Sequence, residues 1–308
     1  MVANRWVSWG ERLFFNPNGF DWVVIFLLSP FSLLFGTVML VRRMVARPKS
    51  YPLPILSIGN LTVGGSGKTP FVIATASRYT NVMIVSRGYG RMSKGLVEVS
   101  RRGKILVDVG ASGDEPMLMA QRLPYASVVV SEDRHQAIEF AIAQGYGLII
   151  LDDGFNRVDI KKFEVLLCPK SIRNYFPFPS GPFREFLFMK YWSDLVVREG
   201  EAFHRRVEIV DSTSKMFLVT AISNPKRLEA FLPKEKIVGS VYLEDHAYFS
   251  QSQLKAYLRD SGATSLLVTE KDRVKMEDFN LPLSVMVLHL EIKEEILQMI
   301  DNYCLVDR

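Results

Sequence analysis

An α/β sandwich built on a mostly parallel sheet is the fold class this chain predicts, and three observations predict it. Short apolar runs alternate with helix-compatible stretches from residue 55 onward. Several of these runs are apolar at every position, as strands buried on both faces of a parallel sheet must be. The first run leads into a glycine-rich loop and a later one ends on paired acidic residues, so the polar chemistry collects at the carboxyl ends of strands.

At 308 residues the chain is long enough for one large or two ordinary domains. It reads as a hydrophobic segment with a basic flank over 1–49, an α/β domain over 50–206 and a smaller α/β domain over 207–308. The net charge of +5 favours anionic partners (nucleotide, acidic lipid or nucleic acid) without choosing among them. Cys168 and Cys304 are far apart and in no metal-ligand spacing, which argues against a disulfide framework or a zinc site.

The apolar excess lies near the N-terminus. Trp22–Val41 is 20 residues without a charge, close to the length that crosses a hydrocarbon core. Arg42, Arg43, Arg47 and Lys49 follow at once, and if the segment spans, they place the rest of the chain in the cytoplasm. No small-residue cleavage site precedes this cluster, so removal as a leader is not expected. Ser29, Pro30, Ser32 and Gly36 predict a poor uniform helix. A monotopic helix or helical hairpin in the interface therefore stands beside a span, with a helix buried in a soluble core as the third reading.

After a Pro-punctuated linker over 47–54, strands are predicted at Ile55–Ile58, Val82–Ser86, Ser127–Ser131, Leu148–Leu151 and Val165–Cys168. Helices are predicted between them at Pro70–Tyr79, Glu115–Arg122 and Arg134–Gln144. Leu96–Val109 alternates around a turn and predicts a hairpin inserted on the surface. From about Val207 a second series follows: Phe217–Ala221, Pro225–Phe231, Ile237–Tyr242, Gln251–Arg259, Leu266–Thr269 and Val285–Leu290.

The glycine-rich loop is Thr62, Val63, Gly64, Gly65, Ser66, Gly67, Lys68, Thr69. Small residues let backbone N–H groups face inward around phosphate, and the helix that follows adds its positive end. Lys68 would reach the β- and γ-phosphates, and the Thr69 hydroxyl would bind Mg²⁺. The strict pattern wants glycine at position 62; here it is Thr62, a mild departure because the inner turn keeps its glycines. Without a [NT]-K-x-D guanine-specificity element in the expected place, ATP is favoured over GTP.

Asp152 and Asp153 end the buried run Leu148–Leu151, the arrangement that holds a magnesium ion beside a phosphate loop. Like charges side by side repel unless a cation stands between them. Gly113-Asp114-Glu115-Pro116 opens a helix, where acidic residues also serve as ordinary caps. Arg87 and Arg91 of SRGYGR, Glu132-Asp133-Arg134, and Arg184-Glu185 of PSGPFRE sit at strand ends or turns that suit phosphate, metal-bound water or plain surface roles. Of four histidines, His246 follows a strand end and is preceded by Asp245, which can orient or tune an imidazole. TEKD (269–272) is a charged loop with the same ambiguity.

Taken together these residues resemble one family, the tetraacyldisaccharide 4′-kinases of lipid A biosynthesis, a group of membrane-associated P-loop kinases. GNLTVGGSGKTP (59–70), SRGYGR (86–91), GDEP (113–116), EDR (132–134), LDDGFN (151–156), SGPFRE (180–185), EDHAYF (244–249) and TEKD (269–272) carry the match, in the family's order and over nearly the whole chain. Only the phosphate loop is specific by itself; the ordered set is what identifies the family.

The resemblance implies a P-loop NTPase-like fold and transfer of the ATP γ-phosphate, with Mg²⁺, to the 4′-hydroxyl of a tetraacylated glucosamine disaccharide 1-phosphate. It implies Asp114 as general base, with His246 paired to it from the second domain on domain closure. Lys68 and Thr69 would hold the triphosphate and metal, and Asp152, Asp153, Glu115 and Glu185 would belong to the magnesium region. Arg87, Tyr89, Arg134, Asn156 and Arg184 become candidates for substrate contacts. Asn156 departs from the family's usual Gln, which puts any role of that side chain in doubt. The expected partners are the acylated lipid and a membrane surface, not nucleic acid. A monomer is expected on the cytoplasmic face of the inner membrane of a Gram-negative bacterium. Two rivals from other classes are a membrane-tethered P-loop ATPase and a nucleotide-dependent assembly factor without turnover.

Overall fold

The computed structural model of the chain describes residues 3–64, 67–170, 172–223 and 225–305, leaving aside the side chains of 3–8 and 226. Helices α1 (Ala3–Phe15) and α2 (Gly19–Val45) come first, then β1 (Ile55–Asn60), α3 (Lys68–Ala76) and β2 (Val82–Ser86). The chain continues through β3 (Val97–Arg101), β4 (Lys104–Ile105), α4 (Val109–Ser112), α5 (Asp114–Arg122), β5 (Ser127–Val130) and α6 (Arg134–Ala143). Next are β6 (Leu148–Asp152), β7 (Phe163–Cys168), β8 (Leu195–Arg198), β9 (Phe203–Val210), β10 (Met216–Thr220) and β11 (Ile237–Tyr242). Last are α7 (Gln251–Ser261), β12 (Ser265–Thr269), α8 (Glu270–Arg273), β13 (Leu283–Ile292) and α9 (Glu294–Leu305). The strands predicted from apolar runs are all present, within one or two residues at most ends.

Two compact units interleave along the chain. One gathers Met1–Lys68, Ile150–Phe203 and Lys293–Arg308, the other Thr69–Ile149 and His204–Ile292. This cut differs from the consecutive segments 1–49, 50–206 and 207–308.

In the first unit, β1 pairs parallel with β7, and β7 parallel with β8. Leu61, Phe155, Leu166 and Phe183 form a buried cluster beside them. Helix α9 belongs here: the Tyr303 ring stacks on Phe163 at 4.8 Å, and its hydroxyl donates to the Ile55 carbonyl at 3.2 Å.

Helix α2 corrects the expectation of a poor uniform helix, since its 27 residues run on without interruption. Proline at position 30 lacks the N–H that would reach the carbonyl of Phe26. The Ser29 hydroxyl donates to that same carbonyl at 2.8 Å, so the orphaned acceptor is satisfied locally. Ser32 and Gly36 are contact points and not breakers. The Ser32 hydroxyl accepts the Ser180 N–H at 2.9 Å, and a Cβ on Gly36 would lie 2.5 Å from the Phe186 ring. With Asp21 and Ile25 they form one buried face. At the start of the helix, Asn18 and Asp21 cap one another reciprocally, and Arg12 and Trp9 donate to the Asp21 carboxylate. The remaining surface of α2 exposes Phe20, Phe26, Leu27, Phe31, Leu34 and Met44. By length and composition it could cross a membrane.

In the second unit, β2 pairs parallel with β5, and β5 pairs antiparallel with β3. The hairpin expected as a surface insertion is therefore part of a sheet, and Val109 opens a helix. A separate sheet has the order β11-β10-β12-β13-β9, parallel where β10 meets β11 and β12 and where β12 meets β13. Its core holds Val219, Leu254, Leu266, Val268, Phe249 and Met276. The segment Pro225–Phe231 of the second series forms only a 3-10 turn, Pro225–Leu228.

Candidate active site

In the first unit, a fully buried β1 delivers the chain into the glycine-rich loop. The loop wall is held by backbone: the Val63 N–H donates to Pro182 and the Arg184 N–H to Leu61, at 2.9 and 2.7 Å. Gly64 and Gly67 adopt φ of +87° and +84°, which other residues enter only with strain. Gly65 and Ser66, expected to contact nucleotide, lie outside the described residues. Thr62 is buried and bridges to Phe183; Thr69 is half-buried in the first turn of α3.

Lys68 extends from the loop to two partners, the Asn60 side-chain oxygen at 3.0 Å and the Asp153 carboxylate at 3.6 Å. Arg184 donates to both Asp153 oxygens at 2.8 and 3.0 Å. Asp153 itself has φ of +55°, a region L-residues visit rarely, and its N–H donates to Ile58 at 3.0 Å. Asp152, the last residue of β6, is buried. Asn156 follows in the same turn, half-buried. Glu185 is engaged elsewhere: both of its oxygens accept from Arg43 at 3.1 Å. Burial pushes the Glu185 carboxyl up against the pull of Arg43.

The second unit assembles the other predicted residues. Gly113 has φ of +85°, and a Cβ there would sit 2.9 Å from the Tyr89 carbonyl, so only glycine lets α5 begin at this point. Asp114 is then the first residue of α5, where the helix dipole favours a negative charge. His246 adopts φ of +62° with its N–H donating to Ala221 at 3.1 Å, which aims the ring at α5. Its Nδ1 lies 2.9 and 3.0 Å from the two Asp114 oxygens. Both residues belong to one compact unit, so the expected domain closure is not what brings them together.

Two lysines complete the cluster. Lys275, with its side chain 2% exposed, lies 3.2 Å from Asp114 and donates to the Ala247 carbonyl at 3.2 Å. Lys271 lies 3.8 Å from Asp114, 3.7 Å from Asp245 and 3.2 Å from Glu115. Burial alone would raise the Asp114 carboxyl. The His246 hydrogen bond and the charges of Lys271 and Lys275 outweigh it and hold the group at about 2. For Lys271, burial opposes the charged form, but Glu115, Asp114 and Asp245 raise its pKa on balance.

Buried Asp272 anchors both lysines: it accepts from the Thr220 and Thr269 hydroxyls at 2.7 Å each and from the Ala221 N–H at 3.1 Å. Thr269 caps α8 in return. The TEKD motif is thus a built helix start that presents Lys271. Lys275 and Asn60 were not legible as site residues, and Arg43 was read only as part of the basic flank that could meet lipid phosphate or headgroups. Their partners come from distant segments, although Asn60 already sat inside the phosphate-loop motif.

The remaining expectations divide. Tyr89, 70% exposed, has its ring 5.2 Å from the His246 ring, and Arg87 is exposed nearby in sequence. Arg134, expected to contact substrate, is buried and donates to the carbonyls of Ser86 and Ser131. Arg91 pairs with Glu132 at 2.6 Å, which ties SRGYGR to EDR structurally.

Residues 24–215 and 205–304 match the family of tetraacyldisaccharide-1-P 4′-kinases, LpxK. The tetraacyldisaccharide 4′-kinase of Helicobacter acinonychis is 47% identical over 295 residues, 95% of this chain and 94% of that protein. Those of Aliarcobacter butzleri and Campylobacter jejuni are 41% and 36% identical, covering 94% and 96% of this chain and 94% and 95% of their own lengths. Among solved structures, "apo" form LpxK from Aquifex aeolicus in complex with ATP has a TM-score of 0.76 at 27% identity. That likeness covers 91% of this chain and 99% of the other.

Proposed function

This chain belongs to the tetraacyldisaccharide 4′-kinase family, phosphotransferases that act on a hydroxyl group, and from that premise we propose how its residues carry the reaction. The γ-phosphoryl group of ATP passes to the 4′-hydroxyl of a tetraacylated glucosamine disaccharide 1-phosphate. The observation that carries this reading is the 2.9 Å contact between His246 and an ionised, buried Asp114.

Asp114 accepts the proton of the 4′-hydroxyl as the O–P bond forms. A carboxylate held at about 2 is a weak base alone. In a loose phosphoryl transition state the proton leaves late, and the imidazole bonded to Asp114 shares the load. Tyr89, its ring tilted against His246, and exposed Arg87 meet the sugar and its phosphate. Lys68 neutralises the β- and γ-phosphates between loop N–H groups.

Magnesium fits the donor set. Among the described residues no three His, Cys, Asp or Glu side chains converge on one point, and Mg²⁺ typically takes one or two carboxylates with phosphate oxygens and waters. Asp152 would hold it, with Asp153 acting through water while Lys68 and Arg184 fix the position of Asp153. When bound, the ion neutralises charge on the phosphates. Glu115 and Glu185, already paired with Lys271 and Arg43, stand outside this ligand set. Arg184 positions Asp153 and does not meet substrate directly.

The membrane reading rests on α2. Its packed side contacts 176–186 from Phe26 to Gly36 and continues to Arg43, so lipid cannot surround the helix. Lying in the interface, with Phe20, Leu27, Phe31 and Leu34 in the acyl region, satisfies both sides. Exposed Arg42, Arg47 and Lys49 then meet acidic headgroups of the inner membrane's cytoplasmic face. ATP consumption measured with and without the acceptor lipid tests the whole reading. Turnover that requires the lipid supports a kinase, and equal turnover without it supports the tethered ATPase.

A further inference from the structure

Of the four basic residues that follow the apolar run, Arg43 is the one turned inward. Its side chain is 8% exposed, and among the described residues it contacts Glu185 and Phe155. Nε and Nη2 form a fork on the two Glu185 oxygens at 3.1 Å each. Nη2 also donates to the Phe155 carbonyl at 3.0 Å, and the guanidinium lies 4.2 Å over the Phe155 ring.

Phe155 lies two residues from Asp153, which pairs with Lys68, and Glu185 lies next to Arg184, which holds Asp153. Phe155 belongs to the turn that begins at Asp153 in its left-handed conformation. That turn is pressed on β1 so closely that a Cβ on Gly59 would lie 2.6 Å from the Phe155 Cβ, and one on Gly154 would lie 2.5 Å from the Ser57 hydroxyl. Glu185 follows Arg184, which forks onto Asp153. Two arginines therefore grip the same acidic turn, one through its carboxylate and one through its backbone.

We propose that Arg43 is a positioning residue for the Mg²⁺–ATP site: through Glu185 and the Phe155 carbonyl it ties the last turn of the membrane-facing helix to the Asp152–Asp153 turn. The inference deepens the proposed function and rests on its nucleotide site. A planar fork suits this task, because two parallel N–H bonds fix direction as well as distance. Lysine would keep the charge and lose the fork. The consequence is that the packed end of α2 and the acidic turn are one mechanical unit.

The test uses full-length protein in detergent micelles without acceptor lipid. Binding of a fluorescent ATP analogue is titrated with Mg²⁺ for wild type, Arg43→Lys, Glu185→Gln and, as an exposed control, Lys234→Ala. Loss of a group that orients metal ligands is expected to raise the Mg²⁺ midpoint about 10–100-fold in the first two variants. The control should match wild type. In turnover assays the same variants should raise KM for ATP while KM for the lipid stays at its wild-type value. Should Arg43→Lys fail to fold, Glu185→Gln, nearly isosteric and still an acceptor, decides alone. Wild-type Mg²⁺ midpoints in folded variants would overturn the proposal and leave the kinase reading intact. Absence of Mg²⁺-dependent binding by the wild type would remove both.

Discussion

His246 and Asp114 are 132 residues apart in sequence, yet the His246 Nδ1 stands 2.9 Å from one Asp114 oxygen and 3.0 Å from the other. Each is held there by a backbone the sequence had to build on purpose. A glycine at φ +85° starts the helix that carries Asp114, and a left-handed turn carries His246. Such conformations cost free energy and persist where the surrounding structure over-determines them.

If the two residues act as one unit, their losses should not add. Asp114→Ala and His246→Ala are each expected to lower kcat by about 10²–10⁴-fold. The double variant should fall no further than the worse single variant, because the second removal takes away a partner already idle. Steady-state kinetics of the three proteins checks this.

Asp114 also ties stability to pH. Its folded pKa of about 2 is depressed below the ordinary carboxylate value of 3.8, so its stabilising contribution is fully present above the unfolded value. That contribution, on the order of 2 kcal/mol, is lost as pH falls from about 4 towards 2. Asp114→Asn lacks it at every pH. Urea midpoints should therefore differ between wild type and Asp114→Asn near neutrality and converge in acid.

Lys275 is buried beside Asp114 and fills its place with a charge. Lys275→Met keeps the volume and removes the charge, leaving the carboxylate less compensated. A loss of about 3–5 kcal/mol is expected, as for other broken buried pairs. The acid limb of unfolding should move to higher pH, which circular dichroism at a series of pH values would register.

The apolar segment Trp22–Val41 shows where sequence reasoning stops. Ser29, Pro30, Ser32 and Gly36 are all poor helix formers, and propensity alone breaks the helix there. Whether the orphaned Phe26 carbonyl finds the Ser29 hydroxyl, and whether Gly36 faces an aromatic ring, depends on packing that no local pattern records. By contrast β5 and β6 are apolar at every position but one, as strands buried on both faces must be, and they were legible. Asp114 read equally as a helix cap and stood out only through the family resemblance, whereas the phosphate loop and Asp152–Asp153 were legible because their pattern is written within a few residues. Lys275 and Arg43 were not, because each acquires its role from carboxylates that only the folded chain brings near.

The exposed face of α2 should govern membrane binding and nothing at the nucleotide site. Replacing Leu27, Phe31 and Leu34 with serine removes side chains that are 72%, 61% and 64% exposed, so the fold loses little. Each is worth about 1.5–3 kcal/mol when buried in an apolar phase, so co-sedimentation with acidic vesicles should drop at least tenfold. ATP-analogue binding should stay at the wild-type value.

The most direct measurement is transfer of radiolabel from the γ-phosphate of ATP to purified tetraacyldisaccharide 1-phosphate in micelles, with the position of the new phosphate determined. Label on the 4′-oxygen with wild type, and its collapse with Asp114→Ala and with His246→Ala while both still bind the ATP analogue, is the expected result. Full labelling by either folded variant would contradict the role of the pair. No labelling by a wild type that binds ATP would contradict the kinase reading itself.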